Sequence, residues 1–187
     1  MPIVTTIEGR IAQVAIDRPE KRNTLSSELC KDLAREFLEL NDDTRVRSIV
    51  LCGHNNVFCA GLDIEEQLAE NTPIFNEFQK VIDALDALSK PVVAAVSGPA
   101  VSQGAAMLYH CDLVFAGEHA LFSMPGLALG QTPRYGVSLL AVKSGGYKLA
   151  AQKLLLSEPI SAAEAVAMGL VHHIVEEDNV MTVAGAA

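Results

Sequence analysis

No apolar run in the sequence approaches the roughly 20 residues that a bilayer-spanning helix requires, so no membrane partner is expected. The opening residues, Met1-Pro2-Ile3-Val4, lack the basic-then-apolar layout of a secretory signal, and a cytoplasmic location is the expectation. Basic residues are also scarce. Only 14 Lys and Arg face 23 Asp and Glu, a formal charge of −9. Phosphate backbones select basic surfaces, which argues against nucleic acid as a partner. The four cysteines (Cys30, Cys52, Cys59, Cys111) form no C-x-x-C pair. That spacing implies neither a zinc site nor a disulfide framework, and the thiols read as reduced and mostly buried. Internal repeats and low-complexity linkers are missing as well. What remains is 187 residues, half of them apolar and 20% charged, enough for one folded domain over residues 1–187.

The order of elements is legible from periodicity. Ile3–Glu8 and Ile11–Asp17 are β-rich runs flanking Gly9-Arg10 and predict a hairpin. A polar loop, Arg18–Asn23, leads to a helix starting near Ser26, with Leu29, Leu33, Phe37 and Leu40 on one face. Arg47–Cys52 reads as a strand closed by Gly53. Thr72-Pro73 marks a helix start with a capping hydroxyl and a proline in the first turn. Its apolar stripe runs from Ile74 through Leu88, until Lys90-Pro91 stops it. Val92–Val96 is apolar throughout, as in a strand buried on both faces. Further strands are expected at Leu113–Ala116 and Val171–Val175, and further helices at Tyr147–Leu156 and Ala162–Met168. Strand alternating with helix means an α/β protein with crossover connections. Asn179–Ala187 reads as the opening of another helix, so the chain is expected to be cut short at that end.

Two glycine-containing turns carry the chemical signal. In Asn56–Ile64, Gly61 lets the backbone bend sharply so that the Leu62 N–H points outward, beside a helix start at Asp63-x-x-Glu66, an acidic form of the capping box. An outward N–H is what an enolate or thioester oxygen needs. In Val96–Ala106 another strand ends in a glycine turn, and Gly104-Ala105-Ala106 opens a helix that can approach its neighbours closely. Either stretch alone is equally readable as an ordinary strand-to-helix turn.

Taken together, these stretches resemble the crotonase (enoyl-CoA hydratase/isomerase) family. The match takes in Asp17–Asn23, Phe58–Asp63, Val96-Ser97-Gly98, Cys111-Asp112, Pro125 with Leu129-Gly130-Gln131, and Ile160–Ala165 with Gly169-Leu170-Val171. The resemblance implies a spiral of ββα turns, with two roughly perpendicular sheets surrounded by helices. It also implies that an acyl-CoA thioester is held by two backbone N–H groups, those of Leu62 and Gln103 by motif position. Coenzyme A is then part of the substrate, with no tightly bound cofactor and no metal. Lys21 and Arg22 are placed to meet its phosphates, the alternative being a solvated loop. Ala60, Gly61, Asp63, Ile64 and Gly104 complete the expected binding surface. A homotrimer or hexamer is implied too, with a C-terminal helical region that is expected to be missing from these 187 residues.

The resemblance also locates what is missing. Hydratases of the family place one glutamate where this chain has Ala106 and a second where it has Gly126, while isomerase relatives place a carboxylate where Arg134 stands. Neither alanine nor glycine titrates, and arginine stays protonated. Plain hydration is therefore not expected, and decarboxylation, thioester hydrolysis or isomerisation remain open. The alternative is a non-catalytic acyl-CoA-binding or scaffold member. Tyr135 is the expected catalytic side chain, with Arg134, Ser102, Gln103 and His110 also near the pocket. Small residues at Ala105, Ala106, Gly126 and Ala128 suggest room for a bulky acyl group. His110 and Asp63 read as structural, the latter as a helix cap, and His172-His173 face opposite sides of a strand and cannot share a metal.

Overall fold

The computed structural model describes residues 2–69 and 71–187; Met1, which opens the stretch read above for a signal, and Glu70 lie outside the described residues. The hairpin forms as expected. Strands β1 (Ile3–Glu8) and β2 (Ile11–Ile16) pair antiparallel, with Glu8 opposite Ile11 across the Gly9-Arg10 turn. β2 alternates, sending Ala12, Val14 and Ile16 inward. Helix α1 (Ser27–Asp42) follows, and Ser26 caps it by accepting the Leu29 N–H at 3.2 Å. Its buried face includes Leu29, Leu33, Phe37 and Leu40. Strand β3 (Ser48–Gly53), the short helix α2 (Ile64–Gln67) and helix α3 (Ile74–Asp86) come next, and α1 packs along α3. Pro73 occupies the cap of α3 rather than its first turn, with Thr72 Oγ1 accepting the Ile74 N–H at 3.3 Å. The helix ends at Asp86, short of the expected Leu88, which still packs against the core.

β4 (Val92–Val96) is buried along its whole length, as its unbroken apolar run predicted. Val92, Ala94 and Val96 face the main core, while Val93 and Ala95 face a second apolar cluster with Val50, Cys52 and Phe115. That second face is covered by α8 (Val180–Ala186), through Val180 and Ala184. The remaining elements are β5 (Pro99–Val101), α4 (Gln103–Leu108), β6 (Leu113–Gly117), β7 (Leu121–Ser123), α5 (Val137–Gly145), α6 (Tyr147–Leu156), β8 (Ile160–Ser161), α7 (Ala162–Ala167) and β9 (His173–Val175). They complete two sheets surrounded by helices. The larger has the order β1-β2-β3-β4-β6-β9, parallel from β2 onward, and the smaller has the order β5-β7-β8.

β9 is shorter than the expected Val171–Val175. His172 instead joins β6 from outside the ladder, donating its N–H to the Val114 carbonyl at 2.8 Å. Among the described residues no helix is long and apolar enough to cross a membrane, and no cluster of His, Cys, Asp and Glu could hold a metal ion. Leu33 is fully buried on α1 and Leu38 is half exposed on the same helix. Truncating Leu33 to alanine should cost about 2–5 kcal/mol, whereas Leu38→Ala should stay within about 0.5 kcal/mol. Urea unfolding with an unchanged denaturant slope checks both values.

Candidate functional site

The site is built from three loops tied together by backbone hydrogen bonds. The first is the 3-10 turn Pro19–Lys21, which ends in two left-handed residues, Arg22 and Asn23. Asn23 is fully buried, and its side chain locks this loop to the one after β3. Its Oδ1 accepts the Arg18 N–H at 2.8 Å, and its Nδ2 donates to the carbonyls of His54 (3.0 Å) and Val57 (2.6 Å). Sequence reasoning did not single out Asn23. The available signal was an asparagine, a residue that tolerates φ > 0, closing a polar loop.

The second loop is the Phe58–Asp63 turn. Ala60 N–H donates to Arg22 O at 3.2 Å, Leu25 N–H to Gly61 O at 2.8 Å, and Asp63 N–H to Leu25 O at 2.8 Å. Between these anchors Gly61 has φ +94°, and the Leu62 N–H finds no acceptor among the described residues. The third loop follows β5. Phe58 and Cys59 both donate to Pro99 O, at 3.0 and 3.2 Å, and Val101 N–H returns to Cys59 O at 2.8 Å. Ser102 then adopts φ 54°, ψ −114°, a conformation natural only to glycine. The Gln103 N–H opens α4 and likewise has no acceptor among the described residues.

The two turns touch. A β carbon on Gly61 would lie 3.1 Å from Ser102 Cβ and 3.2 Å from Gln103 Oε1. A β carbon on Gly104 would collide with the Cys59 carbonyl, so Gly104 is the contact by which α4 closes on the first turn. Gly104 is buried there and is not among the residues lining either cleft described next. Gly61 is likewise absent from the residues lining those clefts.

One cleft of about 340 Å³ is lined by Lys21, Arg22, Ala60, Leu62, Asp63 and Ile64 among others. A second, narrower cleft of about 50 Å³ is lined by Ala106, Gly126, Arg134, Tyr135 and Val137 among others. Ser102, Gln103 and Gln131 line both, so the clefts meet where the Gln103 backbone opens α4. Of the small residues expected to make room, Ala106 and Gly126 do line the second cleft. Ala105 is instead buried in the core, and Ala128 is exposed and not among the lining residues.

Charges sort as follows. Asp63 caps α2, accepting the Glu65 N–H at 3.1 Å, and pairs with Arg18 Nη1 at 3.1 Å. The expected acidic capping box does not form, because Glu66 turns away to accept the Ser27 N–H at 2.8 Å, at the positive end of α1. Lys21 Nζ lies 3.0 Å from Glu65 and 4.0 Å from Asp63, and its hydrogen bond to Glu65 raises its pKa. Lys21 is thus partly occupied, while Arg22 is exposed and has no ion pair among the described residues. Burial pushes the Tyr135 phenol up to about 12, and its hydroxyl donates to Phe75 O at 3.3 Å. His110 supports this tyrosine from behind, with Nε2 2.9 Å from Tyr135 O and Nδ1 2.7 Å from Asp86 Oδ1. Asp63 thus caps a helix and His110 bridges Asp86 to the Tyr135 backbone.

The sequence model of the enoyl-CoA hydratase/isomerase family matches residues 6–186. The chain belongs to this family. It is 34% identical to the short-chain-enoyl-CoA hydratase of Clostridium acetobutylicum, with 97% of this chain and 72% of the relative aligned. It is 32% identical to the 2,3-dehydroadipyl-CoA hydratase of Escherichia coli, over 94% of this chain and 70% of the relative. Among solved structures, an enoyl-CoA hydratase/carnithine racemase from Magnetospirillum magneticum superposes with a TM-score of 0.94 at 33% identity, covering 99% of this chain and 73% of the other.

Against that family background the second cleft is notable for its wall. Ala106 and Gly126, where the sequence resemblance locates the two hydratase glutamates, both line it, and no Asp, Glu or His is among its lining residues. Ser102 is the strained element. Strain of about 1–3 kcal/mol at such a residue exceeds the backbone-entropy cost of glycine, so Ser102→Gly should raise stability by about 1 kcal/mol. A urea midpoint that falls instead would show that the Ser102 side chain, not its backbone, holds this turn.

Proposed function

We propose that the protein binds an acyl-CoA thioester across both clefts, places its carbonyl oxygen on the Leu62 and Gln103 N–H groups, and works through the enolate they stabilise. The observation that carries this reading is the pair of unpartnered backbone donors where the two clefts converge. Such donors are preorganised for charge that develops on oxygen, and losing one costs an oxyanion-stabilising site about 10²–10³ in rate. The first cleft takes the coenzyme, with Arg22 and the partly engaged Lys21 facing its phosphates and Ala60, Asp63 and Ile64 against the rest.

The second cleft takes the acyl group and determines the chemistry. Hydration and thioester hydrolysis need a water activated by a base, and isomerisation needs a proton carrier. Its lining offers only Arg134, which stays protonated, and Tyr135, whose proton is held until about pH 12. Decarboxylation needs neither. The bond from Cα to a carboxylate breaks, carbon dioxide leaves, the electron pair enters the thioester enolate, and the enolate takes a proton from water. This is the favoured reaction. The bare cleft wall also supports a second reading, in which acyl-CoA binds without turnover. Assembly as a homotrimer or hexamer belongs to the same proposal, supported by the exposed Leu139, Tyr147, Leu155 and Leu156 on α5 and α6.

Turnover of a panel of acyl-CoAs, followed by mass spectrometry, separates these readings. Crotonyl-CoA hydration should be negligible, and 2-carboxyacyl-CoAs should lose carbon dioxide at a rate flat between about pH 6 and about pH 9, because no lining group titrates there. Hydration near the common enzyme median of about 10 per second would contradict the reading, and binding without any product would favour the non-catalytic one. The phosphate assignment has its own check. Removing the carboxylate that competes for Lys21, by Glu65→Gln, should tighten free coenzyme A binding in calorimetry, and Lys21→Ala/Arg22→Ala should weaken it in a salt-dependent way. Equal affinities in all three would remove the assignment.

A further inference from the structure

Arg134 is the one charged residue among those lining the second cleft. Its guanidinium carbon lies 4.7 Å over the centre of the Phe75 ring. A guanidinium over an aromatic ring is attracted to the ring's face without using up its N–H donors, and Arg134, which is exposed, keeps them available for a planar, two-point partner. No carboxylate lies within ion-pair distance of Arg134 among the described residues, although acidic residues outnumber basic ones across the chain. Nor is there any acid in the cleft wall to compete for it. Its neighbours Gln131 and Thr132 are also lining residues, and both carry uncharged polar groups. A wholly hydrocarbon acyl group would gain nothing from a cation at this position.

We propose that Arg134 is a carboxylate-recognising residue, and that the substrate class is the coenzyme A monothioester of a dicarboxylic acid. The inference rests on the acyl-CoA reading above and narrows it. With the thioester oxygen on the Leu62 and Gln103 N–H groups, the second carboxylate extends into the cleft and meets the edge of the guanidinium. A carboxylate on Cα is the group that departs as carbon dioxide, and its departure also removes the contact that held the acyl chain. A carboxylate farther along the chain stays, and serves only to select the substrate.

Calorimetric titration with malonyl-, succinyl-, glutaryl- and butyryl-CoA tests this on the parent, Arg134→Gln and Arg134→Lys, with a thermal melt showing that each is folded. The parent should bind at least one diacid thioester about 10-fold more tightly than butyryl-CoA, the size expected of a charge-assisted pair. That ratio should collapse toward unity in Arg134→Gln and survive in part in Arg134→Lys, which keeps the charge but not the fork. Preference for malonyl-CoA alone identifies the departing carboxylate, and preference for a longer diacid identifies the selecting one. Butyryl-CoA binding as tightly as every diacid thioester, or a preference that persists in Arg134→Gln, overturns the inference while leaving acyl-CoA binding intact. Failure of all four ligands to bind overturns the acyl-CoA reading itself, and this inference with it.

Discussion

Everything chemical in this molecule depends on how closely two strand-to-helix turns are pressed together. The carbonyl of Pro99 receives two N–H groups from the first turn, and the carbonyl of Cys59 receives one from the second. Gly98 and Gly104 make the approach feasible, because a β carbon on either would collide with the opposing backbone at Asn56 or Cys59. With their neighbours tied in this way, Leu62 and Gln103 present N–H groups that find no acceptor among the described residues. The arrangement carries a local cost, most visible in the left-handed Ser102. It is held by surroundings that over-determine it, including the fully buried Asn23, which fastens the loop after β3 from the opposite side.

This scaffold and the acid/base equipment of the site are separable. The backbone donors survive any side-chain change short of proline, whereas acid/base groups are side chains and can be lost without altering the frame. The chain therefore matches proteins named as hydratases at about one-third identity while lining its second cleft with no carboxylate. Family membership accounts for the fold, and the reaction has to be argued from the wall of the cleft. There the sole charge is cationic, the tyrosine keeps its proton, and the histidine nearest the site is committed to holding a loop.

Long, strongly patterned elements were legible in the sequence. The hairpin, α1, β4 and α6 appear where alternation, helical spacing or an unbroken apolar run placed them, because burial on one or two faces leaves a periodic trace. The second sheet was not legible from pattern. Its strands are two or three residues long, too short to show alternation, and only the family resemblance called for it. α5 escaped for a different reason: Val137, Leu139, Leu140, Ala141 and Val142 place apolar residues around most of its circumference, so no single face stands out. At the site, Leu62 follows Gly61 and Gln103 precedes Gly104, in glycine-containing turns that the sequence displays. Lys21 and Arg22, by contrast, sit in a loop without glycine and were singled out only through the family resemblance. Asn23, the diversion of Glu66 to α1 and the pairing of Lys21 with Glu65 depend on contacts between segments up to 44 residues apart. No local pattern encodes them.

The central claim is that the Leu62 and Gln103 N–H groups polarise a thioester carbonyl. Isotope-edited infrared difference spectroscopy of a bound acyl-CoA, labelled at the thioester carbonyl carbon, reads that polarisation at the bond concerned. Two preorganised donors in a partly desolvated cleft should move the carbonyl stretch to lower frequency than in free acyl-CoA in water. A bound carbonyl at the frequency of the free thioester, or higher, would contradict the account.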